Sequence, residues 1–388
     1  MRILIVGGGP AGLTFAACLL RHGIEPVVVE KAPRGSTGGY SIGLHINGWR
    51  VAERLGLVDA FRAKAMPLGP AHHLDRRGRK LFSYDYRVLA KAAEGRLLAI
   101  MRSDFQDILT AAVTDKCPIH YETTVAALDD DGAGVTATFS DGSTDRFNLV
   151  VGADGYRSTV RALAFGPHED FLRPLGYRAS AWRVPLSRPL GASFVGMMDV
   201  DHQGGLYDVG DGTAATLFCW RDARTDRLDP EARRAVLQAK FGGWPEPIAS
   251  ALISAIDWDR AFFDTVSQIE VPKWSKGRIA LLGDAAWCLT FLAGQGTSTA
   301  MAGAYILAAE LARKGHAEAL DSYEARMRPL VTKMQAVSRK IGGHYVPQST
   351  FGMRMQSWIL PIMLSRPLIK FTSSRLAAPA VELEKSDD

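Results

Sequence analysis

RILIVGGGPAGLTFAACLLRHGIEPVVVEK, Arg2 to Lys31, decides the fold. RILIV is a short apolar run that ends in glycine, as strands buried on both faces of a parallel sheet do. From Gly9 onward apolar residues recur at helical spacing and stop near Gly23, which suits a helix C-terminus. EPVVVEK is a second buried strand. Gly7-x-Gly9-x-x-Gly12 lies between the first strand and the helix. The first glycine permits the tight turn, the second lets backbone approach a pyrophosphate, and the third lets helix and strand pack closely. The helix start then offers unpaired N–H groups and a positive dipole to phosphate. Glu30 stands 18 residues past Gly12, where an acid binds a ribose hydroxyl pair. An acid there disfavours a 2′-phosphate, so the resident nucleotide is expected not to be NADP. FAD and NAD both fit this stretch alone.

Two further stretches separate them. NLVVGADGYRSTVR, Asn148 to Arg161, is another buried strand closing on Gly152-Ala153-Asp154-Gly155, followed by Ser158 and Arg161. ALLGDAAWCLTFLAGQGTSTAMAGAYILAAELA, Ala280 to Ala312, is an apolar run that stops at Gly283-Asp284, then turns at Gly294-Gln295-Gly296 into an apolar helix. With G-x-G-x-x-G, D-G-x-x-S-x-x-R and G-D-A-A…G-Q-G in this order across nearly its whole length, the sequence resembles the class A, single-component FAD monooxygenases.

That resemblance implies an α/β fold: a Rossmann-like FAD-binding domain with an inserted mixed β-sheet substrate domain and a C-terminal helical tail. The expected division is 1–66, 97–173 and 274–332 for FAD, 67–96 and 174–273 for substrate, and 333–388 for bridging helices. FAD would be bound non-covalently by Gly7, Gly9, Pro10, Ala11, Gly12, Glu30, Lys31 and Asp154. Arg102 would face its phosphates or ribose, and Val125 its adenine. Gly43 would lie beside the flavin ring and Asp284 would accept from the ribityl hydroxyls. Gly294, Gly296 and the helix from Thr297 would place N–H groups and positive potential at the pyrimidine edge. NADPH or NADH would serve as transient reductant. O2 would become a flavin C4a-hydroperoxide that hydroxylates a polycyclic or aromatic substrate, in a site shielded from water. No catalytic side chain is assigned, since the flavin carries the chemistry.

Within the family, VSQIEVPKWSKGRIALLGDAAWC and GAYILAAEL resemble most the tetracycline-inactivating branch, which makes oxidative inactivation of tetracyclines the first expectation. Another aromatic or polyketide substrate, and a flavin oxidoreductase without oxygen transfer, stay open. Three departures bear on this. Trp287 stands where the family has His, and Phe291 and Thr290 where it has Pro; Phe291 keeps a carbonyl but loses the fixed φ.

From Pro174 to about Lys273 short strand-like runs suggest a mixed sheet over the flavin. Trp182, Met197, Tyr207, Trp220 and Phe291 are its candidate substrate residues. DRRGRK, Asp75 to Lys80, reads as a hairpin turn. The tail is expected to be helical, with breaks at Gly342-Gly343, Pro347, Pro361 and Pro367. Met353, Trp358, Ile359 and Met363 would meet both domains.

Composition excludes several classes. The chain is 47% hydrophobic and 22% charged, with a formal charge of only +5 and no long basic run, so nucleic acid is not expected. Its four scattered cysteines give neither a disulfide framework nor a zinc site, and no metal ligands are legible. Without a secretory leader or an 18-residue apolar run, the expectation is a cytoplasmic monomer with no membrane contact.

Overall fold

The computed structural model describes residues 1–35, 38–254, 256–290, 294–365, 369 and 380–383, with backbone alone at 341–344. Phe291 and Pro367 lie outside the described residues.

A six-stranded sheet runs in the order 275–276, 279–281, 149–152, 2–6, 25–30, 119–121, and every pairing in it is parallel except that of the first two strands. The strands are near-continuous apolar runs because helices cover the sheet. Strand order is the informative feature. Leu149–Gly152 and Ile279–Leu281 come from far along the chain, yet they lie beside Arg2–Val6 with Val6 level with Gly152 and Gly152 level with Leu281. All three glycine turns therefore leave the carboxyl ends of adjacent strands.

A three-stranded meander, Val125–Asp130, Val135–Phe139 and Thr144–Phe147, follows the strand Ile119–Tyr121. An eight-stranded, largely antiparallel sheet draws its strands from 70–85 and 172–269. Its hairpin Pro70–Asp75 and Lys80–Asp85 turns through Arg76–Arg79, where the Asp75 carboxylate accepts from the Arg77 and Arg79 amides.

Side chains alternate across this sheet, and its two faces are covered by different things. On the back face Trp182, Met197, Leu206, Phe218 and Trp220 pack under the helices Pro230–Phe241 and Ile248–Ile253. On the front face Tyr207 packs with Met66, Met101 and Ala215, while Tyr177, Ala179 and Cys219 meet Val346 at the end of the helix His316–Tyr345.

That long helix runs through Gly342-Gly343 without a break, contrary to the expectation from sequence. Its Gln335 donates to the Ile269 carbonyl at 2.8 Å, and Gln268 donates to the carbonyls of Leu289 and Gln335 at 2.8 and 2.9 Å. The helix thus clamps the large sheet to the segment after the third glycine turn. The last helix, Thr350–Met363, also continues through Pro361, which sits in its final turns. Trp358 is 79% exposed and Ile359 also faces solvent, so neither meets both sheets as expected. Beyond it, residues 380–383 return to the parallel-sheet half: the Val381 amide donates to Asn47 and Arg50 donates to the Val381 carbonyl.

Candidate active site

The three glycine turns interlock. A Cβ at Gly7 (φ +115°) would lie 2.5 Å from the Ala153 carbonyl oxygen, and one at Gly12 only 2.0 Å from that of Gly7. A Cβ at Gly283 (φ +65°) would touch Ala11 at 3.0 Å and Ala300 at 3.3 Å. Two of the three N-terminal glycines are therefore needed for packing. Gly9 differs: a Cβ there would meet only the Arg102 guanidinium, 3.9 Å away. Gly9 also opens the helix Pro10–Arg21, which has Pro10 in its first turn, no acidic residue there and no side-chain cap at Gly9. Its N-terminal N–H groups are thus presented to a cleft that Arg102 shares.

Glu30 ends the neighbouring strand. Its Oε2 accepts from the Gly8 amide at 2.7 Å and its Oε1 from the Ala32 amide at 2.8 Å. Both bonds fix the carboxylate at the strand end, and each oxygen keeps a lone pair for a hydroxyl. Lys31 is exposed. Tyr121 pairs with Glu30 and the Thr123 amide donates to the Glu30 carbonyl, which brings the buried Val125 to this end of the cleft.

The central motif has a structural logic. Asp154 accepts from the Ser158 hydroxyl at 2.5 Å and from the Thr159 and Val160 amides at 2.6 and 3.1 Å, so its carboxylate holds the start of the helix Thr159–Ala164. Ser158 caps that helix by accepting from the Arg161 amide. Arg161 is fully buried and donates to the Ala285 carbonyl and to the Tyr156 carbonyl, both at 2.7 Å. Burial lowers its pKa. This side chain ties the second glycine turn to the third.

Asp284 lies at the other end of the cleft, beside the helix Gly296–Arg313. A Cβ on Gly296 would be 3.8 Å from its Oδ1, and no described side chain caps that helix. Burial raises the Asp284 carboxyl, opposed by the charge of Arg102 and a bond from Cys288. Thr297 is partly exposed in the first turn. Gly43 lies on the strand Ser41–Leu44, where a Cβ would be 3.3 Å from the Gly294 carbonyl oxygen.

His45 escaped the sequence reading. Its amide donates to Ser298 Oγ at 2.9 Å, and its imidazole bonds the Gly294 backbone. Burial pushes its pKa down to about 4, against the effect of that bond, so the ring is neutral near pH 7. The only sequence signal was a histidine directly after a short strand and close to Gly43.

The departures from the family pattern resolve differently. Trp287 is buried and packs on Trp274 (centroids 4.3 Å apart) and Tyr323, away from the cleft, with Gly303 leaving room for its ring. Thr290 has φ +110°, a strained conformation for a β-branched residue.

The substrate candidates need correction. Trp182, Met197 and Trp220 are 2%, 1% and 0% exposed within the back-face core, with the sheet between them and the cleft. Strand alternation explains it: on Thr213–Arg221 the even positions Ala214, Phe218 and Trp220 point to that core and the odd Ala215 and Cys219 do not. Tyr207 is on the front face, packed on Met101, the residue before Arg102. Beside it stand Phe194, His73, Phe82 and Tyr84, ring on ring, and Tyr86. Among the described residues no His, Cys, Asp and Glu cluster could hold a metal ion, and all four cysteines are free and buried. No described helix is long and apolar enough to cross a membrane.

A glycine-lined cleft across the carboxyl ends of parallel strands, with an acid at one end, an arginine midway and a carboxylate beside a helix start at the other, fits an extended flavin dinucleotide. The FAD binding domain family matches residues 1–338. An uncharacterized protein of Mycobacterium tuberculosis is 34% identical over 360 residues, covering 90% of this chain and 96% of its own. A flavin-dependent monooxygenase from an unknown prokaryotic organism is 30% identical over 351 residues, covering 86% and 88%. Of solved structures, the tetracycline destructase Tet(55) superposes with a TM-score of 0.82 at 26% identity, covering 98% of each chain. Klebsiella pneumoniae HpxO complexed with FAD and uric acid shares the fold, with a TM-score of 0.81 at 24% identity and coverage of 97% and 96%. The chain belongs to the FAD-binding monooxygenase family and is an enzyme of its class A type, near the tetracycline destructase branch.

Proposed function

We propose that the enzyme uses NADPH or NADH and O2 to hydroxylate a polycyclic or aromatic substrate, with oxidative inactivation of a tetracycline as the first reading. The observation that carries it is the alignment of three glycine turns at adjacent strand ends, opposite an aromatic sheet face. In this reading the Ala11 and Gly12 amides and Arg102 hold the pyrophosphate, with Gly7, Gly9 and Pro10 shaping that turn. Glu30 takes the ribose hydroxyls and the backbone at Val125 the adenine. Asp284 takes the ribityl hydroxyls, while Gly43, Gly294, Gly296 and Thr297 border the ring. Asp154 acts by holding its helix, and Lys31 only borders the nucleotide end. Bound FAD supplies hydride acceptance and O2 activation; the chain's residues bind, orient and exclude water. The 26% identity and near-complete overlap with Tet(55) favour a tetracycline. Another aromatic or polyketide substrate would use the same face.

The test is direct. The purified protein should be yellow and release free FAD on heating. It should consume NADPH or NADH faster with tetracycline present, while the drug's near-ultraviolet absorbance falls. Absence of FAD would refute the cofactor reading, and unchanged tetracycline would move the substrate to another aromatic.

A further inference from the structure

The last helix turns its apolar side outward. On Thr350–Met363 the side chains of Phe351, Met355, Trp358, Ile359 and Ile362 are exposed, Phe351 by 75%. They stand at i, i+4, i+7, i+8 and i+11, which is one stripe down a helix. The inward side is less apolar. Ser357 is buried there and donates to the Arg354 carbonyl at 2.7 Å, with Met353 and Leu360 half-buried. An ordinary surface helix does the reverse and turns its apolar stripe to the core. This helix packs beside the strand Lys80–Asp85, so its place in the fold does not use the stripe.

The apolar exposure is concentrated here. Of the eight large hydrophobic side chains that are exposed among the described residues, five belong to this stripe. Scattered singly, such side chains need no explanation; gathered on one face, they mark a contact surface.

Charge says what covers it. From Val346 to Val381 the sequence holds Arg354, Arg366, Lys370 and Arg375 and not one Asp or Glu. Arg354 is exposed on the helix itself, and no ion pair among the described residues holds it. The neighbouring strand begins at Lys80, after a turn that carries Arg76, Arg77 and Arg79, all exposed. Arg76 pairs with Asp199 and Arg79 with Asp75, but Arg77 and Lys80 have no carboxylate partner among the described residues. A second copy of the chain, seated across a two-fold axis, would set these cations against their own kind. A bilayer of anionic lipid meets both features, with headgroup phosphates for the cations and the acyl boundary for the stripe. Trp358 suits that depth, since indole offers an apolar body and a single N–H. At 14 residues the helix is about 21 Å long, too short to span a bilayer, so it would lie in the surface plane.

We propose that the helix Thr350–Met363 is a membrane-surface anchor, which lays Phe351, Met355, Trp358, Ile359 and Ile362 into the headgroup boundary of an anionic bilayer with Arg354 at the phosphates. This contact differs from the sequence expectation of no membrane contact, and it is independent of the substrate oxidised.

The test is co-sedimentation of the FAD-loaded protein with vesicles, made of phosphatidylcholine alone or of phosphatidylcholine and phosphatidylglycerol in equal parts. Binding to the mixed vesicles should be at least about tenfold tighter and should weaken in high salt. Trp358 is the one exposed side chain among the eight tryptophans, so acrylamide quenching of the fluorescence should fall as mixed vesicles are added. Trp358→Ser should weaken binding by about tenfold or more, and Arg354→Gln by about fivefold. Both positions are exposed, so flavin content and thermal unfolding should match the parent. No sedimentation with the mixed vesicles, equal binding to the two compositions, or binding unmoved by Trp358→Ser would each overturn the anchor. Dimers in sedimentation velocity that Trp358→Ser dissolves, with no vesicle binding, would overturn it in favour of a second copy.

Discussion

The two walls of the cleft are built by opposite means. On the cofactor wall backbone does the work: glycine turns, helix starts and a few charged groups are pinned to fixed places by Arg161, Glu30 and Asp154. On the proposed substrate wall side chains do it, since a flat sheet face displays rings and hydroxyls whose identity can change without moving the strands. The first wall requires particular residues at particular spacings. The second requires only alternation. One is therefore tied to fixed residues, and the other leaves its side chains free to vary.

If that contrast holds, the largest effects come from touching the cofactor wall's backbone. Gly12→Ala puts a methyl 2.0 Å from the Gly7 oxygen. It should cost about 3 kcal/mol of stability and leave the protein without flavin; soluble, yellow Gly12→Ala enzyme would contradict the packing described. Arg161→Met deprives the Ala285 and Tyr156 carbonyls of their donor. A loss of about 2–4 kcal/mol is expected, seen as earlier thermal unfolding with lower flavin content. An unchanged melting profile would mean that the second and third turns do not depend on this tie.

Asp284→Ala acts on the ligand and not on the fold. It should weaken FAD retention by roughly 5- to 150-fold, read by titrating apoprotein with FAD, while the unfolding of the apoprotein barely shifts. On the other wall, Trp220→Phe should lower stability by about 1–2 kcal/mol without altering tetracycline affinity, because its ring lies in the back-face core. Tyr207→Phe should do the reverse. Were both to change affinity alike, the two faces would not be distinct.

The remaining effect is acid sensitivity. His45 and His73 have folded pKa values near 4, below the ordinary histidine range, so the unfolded chain binds their protons first. Stability should be full above about pH 6.5 and fall as pH drops toward 4. In His45→Gln and His73→Gln this slope should flatten, measured by denaturant unfolding at several pH values. An identical slope in both variants would mean that other groups set it.

The sequence displayed the cofactor wall because its constraints are local. Gly7, Gly152 and Gly283 each end an apolar run, and only the strand order that brings them together had to come from the structure. The roles of Arg161 as a tie and Asp154 as a helix holder needed coordinates, since both act across space. The substrate wall was not legible. Trp182, Met197 and Trp220 are large and apolar, but alternation says only which neighbours on the same strand share a face. Which face is covered depends on where the helix Pro230–Phe241 packs. Tyr84 and Tyr86 gave no signal, because strands far apart in the chain bring their face beside Tyr207. The tail misled because the glycines at 342–343 and Pro361 are breakers in isolation, yet the helical backbone runs on through them.

Both walls together should make one oxygen-transferring site. The direct measurement is mass spectrometry of tetracycline after turnover by the FAD-loaded enzyme with NADPH under heavy oxygen. A product carrying a single heavy oxygen atom, with little peroxide, is expected. NADPH consumption that sends all its oxygen to hydrogen peroxide, across tetracycline and planar phenols alike, would contradict it.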